Sequence, residues 1–195
     1  MEINNDILLN FYININSHKN MVFQLLNKCV SIFGTRLDYD IISNEAKNHD
    51  NDKLIQPLLY PFALRLFCKN NDCKLTNEEK EEIRTALITH VSSNDHHLEY
   101  FYDGPERDLY ELYSFDSEML DIVTDIPITV KKIDDLNVIV KFVADTCAVT
   151  MSKFTDNYYE HWNSWFSSVT ETRYKLHDDN KLQIREIAKQ ILVYR

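Results

Sequence analysis

Among all segments of the chain, the pentapeptide His49-Asp50-Asn51-Asp52-Lys53 has the residue types and spacing that point most clearly to a chemical function. An imidazole next to a carboxylate offers nitrogen and oxygen ligands that suit Mn, Fe, Co, Ni or Zn. Because neighbouring side chains on a helix diverge by about 100°, His49 and Asp50 can share an ion only over the seam between them. Lys53 follows one turn later on the same face, where its ammonium could meet a bound phosphate.

Further ligands for such an ion must come from distant parts of the chain, because one His-Asp pair leaves a coordination shell incomplete. His18 lies upstream of the pair and Asp125 lies downstream, with Asp121 one helical turn before Asp125. We expect these side chains to lie on separate helices that bring them to the same ion.

Three more histidines stand between these candidates. His90 continues the apolar face of its helix, and His96-His97 follow in a polar loop that also contains Tyr100 and Phe101. His90 fits either a ligand or a hydrogen-bonded core residue. Of His96 and His97, one is expected to face inward, and the sequence does not distinguish them.

The elements that must position these residues are helices, because apolar residues recur with a period near 3.6 along the chain. With 2 glycines and 4 prolines, the sequence lacks the turns of a β-sandwich and cannot form a Gly-rich phosphate loop. We predict one all-α domain of about seven to nine helices. The segments are about 18–33 (capped by Ser17), 38–53, 57–68, 77–92 (opened by a Thr76/Glu79 capping box), a short one from Pro105, one from Asp116 or Ser117 to about Pro127, 134–153, 157–172 and 178–194.

The charge of the chain restricts its partners. With 21 Lys and Arg against 31 Asp and Glu, the net charge is −10, which disfavours binding to long nucleic acid. A small anionic substrate remains compatible if a metal or local cations offset the field. The four cysteines form no CxxC motif, the start lacks a signal-peptide pattern, and no apolar run reaches about 18 residues. We therefore expect reduced thiols, no membrane partner and a cytoplasmic location.

The ordered set His18, His49-Asp50 and Asp125 resembles the HD-domain metal-dependent phosphohydrolase superfamily, whose ligand order is H…HD…D on separate helices. HDxxK is a frequent local form in that superfamily. The chain is also similar, over about 18–126, to a small helical family of bacteria, phages and large viruses with the pattern H…HDxSK…HxxxNxHH…EMxxDW. It departs from this pattern where Asp52 replaces Ser, and where Asp121 and Ile126 replace Glu and Trp.

The resemblance implies a single HD-like domain over 1–195, with a metal-site core at about 18–126 and C-terminal helices 134–194 packed on it. It also implies one or two divalent ions, drawn from Mn, Fe, Co, Ni, Mg and Zn. The implied ligands are His18, His49, Asp50 and Asp125, with His90 among the histidines that complete a second site.

The activity implied by the resemblance is hydrolysis of a nucleotide or another small phosphate ester, in the cytoplasm (of a host cell if the protein is viral). Lys53 would stabilise developing charge, and Asp121 or Asp52 would orient water or assist proton transfer. His96 or His97, with Tyr100, would bind the phosphate and base of a nucleotide.

Two other functions remain open on the sequence. Some HD folds hold two irons and oxidise a substrate with O₂. The other alternative is a non-catalytic protein, of viral or other origin, that binds a nucleotide or another protein. The sequence leaves open both a monomer and a homo-oligomer. The aromatic stripe Tyr158–Phe166 is interpreted as part of the core rather than as a cofactor site, and His161 as a structural or surface residue.

Overall fold

The computed structural model describes residues 4–101, 130–172 and 175–193. These form seven α-helices, with 3₁₀ turns at Gly34–Arg36, Asn51–Leu54 and Leu98–Phe101. Within these ranges no strand occurs, and one isolated bridge pairs Lys131 with Leu176. The predicted all-α class is confirmed. The helices are α1 (Asn5–Phe33), α2 (Tyr39–Asn48), α3 (Leu59–Asn71), α4 (Asn77–Ser93), α5 (Leu136–Lys153), α6 (Tyr158–Thr172) and α7 (Asp178–Leu192).

Helix α1 is much longer than the sequence pattern predicts. Asn4 caps its first turn by accepting a hydrogen bond from the backbone N–H of Ile7, and the helix continues for 29 residues. The predicted cap at Ser17 is therefore wrong. The apolar side chains of Ile7 and Phe11 extend the buried stripe towards the N-terminus, so His18 lies in the middle of a helix rather than at its start.

Helix α5 forms the centre of the larger hydrophobic cluster. It is buried on most of its surface and packs against α1, α2, α6 and α7. From α6, Trp162 and Phe166 stack with ring centroids 4.9 Å apart. The Trp162 indole N–H donates to Thr146 Oγ1 at 3.0 Å, which satisfies the buried donor. Helix α6 is thus held against α5, which itself packs on α1.

Helices α3 and α4 form a second hydrophobic cluster with the N-terminal half of α1. The predicted capping box at the start of α4 is confirmed, since Thr76 and Glu79 each bond the backbone N–H of the other. His18 lies on α1 between Phe11 of this cluster and Val22 of the larger one. The two clusters therefore meet near the predicted site.

Two of the predicted helices, the short one from Pro105 and the one ending near Pro127, lie outside the described residues. In the part of the chain that the structure describes, no helix combines the length and apolar character needed to cross a membrane.

Replacing Leu98 with Ala should destabilise the protein, because this fully buried residue anchors the loop after His96-His97 in the larger cluster. Leucine-to-alanine changes in cores lower the free energy of unfolding by about 2–5 kcal/mol. Urea unfolding measures the change. The matched control is Leu182→Ala, since Leu182 is 63% exposed; equal effects of the two variants would contradict the assigned packing.

Candidate metal centre

The chain leaves helix α2 immediately before the His-Asp pair. His49 has φ −46° and ψ 127°, and Asp50 lies in the left-handed region with φ 57° and ψ 15°. Asp is one of the few residues besides Gly that adopt this conformation readily. The prediction of one helix over about 38–53 is therefore wrong. Because the backbone turns here, the side chains of His49 and Asp50 do not diverge as neighbours on a helix would. Both are buried and point towards the same group of donors.

A first group of donor atoms joins α1, α2 and α5. His18 Nε2 lies 3.2 Å from His49 Nε2 and 2.9 Å from Asp145 Oδ1. Asp50 Oδ2 lies 3.8 Å from His18 Nε2 and 3.7 Å from His49 Nε2. Two donors each about 2.1 Å from one ion lie about 3.0–3.4 Å apart at right or tetrahedral angles. The spacing in this group is close to that of ligands sharing an ion.

A second group lies on the other side of the same carboxylate. Asp50 Oδ1 is 3.3 Å from His90 Nε2 and 3.6 Å from His96 Nε2. His97 Nε2 lies 2.8 Å from His90 Nε2. The four residues offer donors within 4.8 Å of one another. Asp50 therefore presents one oxygen to each group, as a carboxylate that bridges two ions would.

Buried atoms without partners provide a test of whether a cation fits here. Within the described residues, Asp50 Oδ1 and both ring nitrogens of His96 are buried and make no hydrogen bond. Buried polar atoms are nearly always satisfied, so such a cluster calls for a missing partner. An imidazole nitrogen and a carboxylate oxygen facing each other suit a divalent ion such as Mn, Fe, Co, Ni or Zn. The residues present fit a metal.

An outer layer of side chains holds the histidine rings. One oxygen of Glu45 accepts a hydrogen bond from His49 Nδ1 at 2.7 Å. The same oxygen lies 2.9 Å from His96 Nδ1, a close contact without hydrogen-bond geometry. On the opposite side, Asp52 contacts His90 Nδ1 at 2.7 Å. Carboxylates that hold the distal nitrogen of a metal-binding histidine fix its ring and tautomer.

The loop that carries His96 and His97 is also held by hydrogen bonds from the residues just before it. Asn94 donates to Asp52 Oδ2 at 3.0 Å and to the His90 carbonyl at 2.7 Å. Asp95 accepts a short hydrogen bond from Lys141, whose side chain is only 4% exposed on α5. These contacts tie the loop to both α4 and α5.

The carboxylates and imidazoles of the cluster change one another's pKa values. Burial opposes ionisation of Glu45, but its contacts with His49 and His96 outweigh this and lower its pKa to about 2. Burial favours a neutral His49, whereas Asp50 and other carboxylates raise its pKa to about 10. Despite burial, Lys53 and His49 hold the pKa of Asp50 well below its usual value. The buried carboxylates therefore require nearby positive charge, which protons or a divalent cation can supply.

A cavity of about 520 Å³ opens onto this cluster, a volume typical of small-molecule sites. His90, His97 and Asp145 form its inner end, together with Lys53. The Lys53 ammonium lies 2.8 Å from Asp50 Oδ2. The cavity therefore gives a small molecule access to the donors and to a cation beside them.

The structure brings most of the predicted site residues together. His18, His49, Asp50 and His90 all contribute donors, and both His96 and His97 join the second group rather than only one of them. Three other predicted site residues lie within the described ranges but belong to neither donor group. Lys53 lines the cavity, Asp52 holds His90, and Tyr100 is 41% exposed against Phe101 without lining the cavity. Asp121 and Asp125 lie outside the described residues.

Two carboxylates at the site were missed by sequence reasoning. Asp145 contacts His18 and His49 from α5, and Glu45 contacts His49 and His96 from α2. The available signal for Asp145 was an acidic residue in an otherwise apolar helix, since such residues are rarely buried without a partner. Glu45 carried no comparable signal beyond its place one turn before His49.

Fold and site together define an all-α protein with a buried histidine–carboxylate cluster that could hold metal. The model of the family of unknown function DUF5662 matches residues 9–190, so the chain belongs to this family. No curated protein matches the chain, and no solved structure matches it. The buried cluster and the cavity beside it are therefore the features of this chain that bear on its function.

Replacing Glu45 with Gln should weaken metal binding while leaving the donors of the first and second groups in place. The neutral amide removes the carboxylate charge from the hydrogen bond with His49 and from the close contact with His96, and loss of such an outer contact typically lowers metal affinity by about 10–100-fold. Competition with a chromophoric chelator, using Mn²⁺ and Co²⁺, measures the affinity. The control is Glu81→Gln, because Glu81 is 68% exposed and pairs only with Arg84 among the described residues. Unchanged affinity in Glu45→Gln would contradict the assigned role.

Proposed function

We propose that this protein is a metal-dependent phosphohydrolase of the HD type, acting on a nucleotide or another small phosphate ester. The proposal includes two divalent ions, one in each donor group. It places the activity in a reducing compartment such as the cytoplasm, in keeping with the four free cysteines.

The observation that carries the proposal is the position of the Asp50 carboxylate. One oxygen faces His18 and His49, and the other faces His90 and His96. Two ions about 3.5–4 Å apart form the sites that hydrolyse many phosphate esters. A carboxylate with histidines on both sides supports this arrangement better than a site for one ion.

The charges along the cavity favour a phosphate ester over a neutral substrate. Bound ions would supply Lewis acidity and lower the pKa of a water molecule towards neutrality. Lys53 lies beside Asp50 at the inner end of the cavity, where its ammonium can contact a phosphoryl oxygen and stabilise charge in the transition state. Arg65 and Lys153 line the same cavity.

The contacts of Asp52 favour a positioning role for this residue. It holds His90 and accepts from Asn94, and it is not among the residues that line the cavity. We therefore assign proton transfer to no side chain of the described residues, and we keep Asp121 as the sequence-based candidate for orienting water.

Metal content tests the two donor groups separately. After loading with Mn²⁺ and desalting, the wild-type protein should retain two equivalents by elemental analysis. His18→Ala and His97→Ala should each lose about one, and Asp50→Asn should lose both because its two oxygens serve both groups. His177→Ala, at an exposed position, is the control. Equal metal content in wild-type protein and Asp50→Asn would contradict the bridging assignment.

Turnover tests the reaction itself. With Mn²⁺ or Co²⁺, the protein should release phosphate from at least one member of a panel of nucleotides and small phosphate esters. Lys53→Met should lower kcat by about 100-fold, as expected for loss of one stabilising group, while Lys47→Met on the exposed face of α2 should not. Absence of phosphate release across the panel, or O₂ consumption by an iron-loaded protein, would overturn the proposal and favour an oxygenase or a binding protein.

A further inference from the structure

The outer part of the cavity is aromatic, and its residues come from the C-terminal third of the chain. Phe154, His161 and Trp165 all line it. The Phe154 and His161 rings are stacked, with centroids 3.7 Å apart and planes inclined by 7°. Trp165 follows His161 by one turn of α6 and so lies on the same face. These three cavity-lining residues are here called the aromatic wall.

Burial distinguishes the aromatic wall from the core of the protein. Trp162 and Phe166 are fully buried, whereas Trp165 is 38% exposed and Phe154 is 39% exposed. The stripe on α6 therefore has two faces, one that packs on α5 and one that faces the cavity. Large exposed rings gathered in one concave surface are typical of binding sites rather than of packing.

Helix α5 sets the distance between the aromatic wall and the candidate metal centre. Asp145, Val149 and Lys153 recur every four residues along one face of this helix, and all three line the cavity. With a rise of about 1.5 Å per residue, Lys153 lies about 12 Å along the axis from Asp145. A ligand with its phosphate at the inner end would have room for a sugar beside Val149 before reaching the wall.

The geometry points to the aromatic wall as a nucleobase subsite, so that the substrate is a nucleoside monophosphate rather than a sugar phosphate. A flat base would stack on Trp165 or on the Phe154–His161 pair, as bases stack on aromatic side chains elsewhere. Lys153 and Arg65 line the same cavity, and a cation placed over the face of a base would add a favourable contact. The substrate class rests on the proposed function, but binding of the base does not require turnover.

Tryptophan fluorescence gives a readout that is independent of metal and activity. The chain has 2 tryptophans, and Trp165 is the exposed one. Adenosine, which has no phosphate, should quench the fluorescence saturably in the presence of EDTA. Phe154→Ala should weaken this quenching, and Phe23→Ala, which removes an aromatic side chain 45% exposed on α1, should not. Absence of saturable quenching in the wild-type protein would overturn the inference.

Dialysis and kinetics test the subsite without the fluorescent reporter. In equilibrium dialysis, Trp165→Ala should bind labelled adenosine about 5–150-fold more weakly than wild type, while Trp165→Phe retains most of the affinity. With metal, Trp165→Ala should lower kcat/KM for adenosine 5′-monophosphate by a similar factor and leave ribose 5-phosphate unaffected. Equal adenosine binding by wild type and Trp165→Ala would contradict the subsite. Adenosine binding that depends on Trp165 without phosphate release would instead contradict only the proposed hydrolysis.

Discussion

The structure depends on how the buried carboxylate of Asp50 is balanced by charge. A buried anion is tolerated only when cations or hydrogen-bond donors surround it. Here the partners are imidazoles on both sides and the ammonium of Lys53. Because these partners come from different helices, the balance can be met only if α1, α2 and α4 converge. The path of the chain at the site follows from this requirement: α1 continues past His18, and α2 ends so that Asp50 adopts a left-handed conformation.

The converging helices bring the imidazole rings together, and the side chains of the outer layer fix the orientation of those rings. Glu45 belongs to the same helix that precedes His49, and Asp52 follows Asp50 in a 3₁₀ turn. One segment of the chain therefore supplies both the central carboxylate and the side chains that hold the rings around it. Lys141 extends the support to α5 through Asp95. Sites held in this way keep their geometry when a ligand arrives, which is what catalysis of a difficult hydrolysis requires.

Most of the helices and donors could be predicted from the sequence, because residue type and periodicity are properties of short segments of the chain. Apolar periodicity located five of the seven helices within a few residues. The order of His18, His49-Asp50 and Asp125 along the chain indicated a metal site, and His18, His49 and Asp50 do lie in the donor groups. The remaining features depend on tertiary structure. Helix α1 begins at Asn5 rather than near Ser17, and the added turns carry Ile7 and Phe11, which pack in the cluster formed with α3 and α4. The ring contacts of Asp145 become visible only once α5 packs on α1.

The same dependence on tertiary structure explains why the aromatic residues of α6 were all predicted to belong to the core. Periodicity separates a polar from an apolar face, but it does not separate an apolar face that packs from one that lines a cavity. Trp162 and Trp165 differ by three residues and belong to one stripe, yet one is buried and the other half-exposed. The difference arises from where α5 ends, because beyond Lys153 no helix covers that part of α6 within the described residues.

Electrostatics also sets an order of events at the cavity. The chain carries a net charge of −10, and Asp50, Asp145 and Glu45 stand at or behind the inner end of the cavity. A phosphate ester approaching three carboxylates is repelled unless their charge is offset, because interactions between charges at short range are strong in a site with little water. Lys53 offsets one of them. Arg65 and Lys153 also line the cavity. Among the donor groups, the remaining positive charge comes from protons on the imidazoles or from divalent ions, and an imidazole that binds an ion cannot keep the proton on the same nitrogen. If the site works as a hydrolase, its positive charge must therefore be in place before the substrate enters, and the apolar outer wall is the part of the cavity that can attract the substrate independently of that charge.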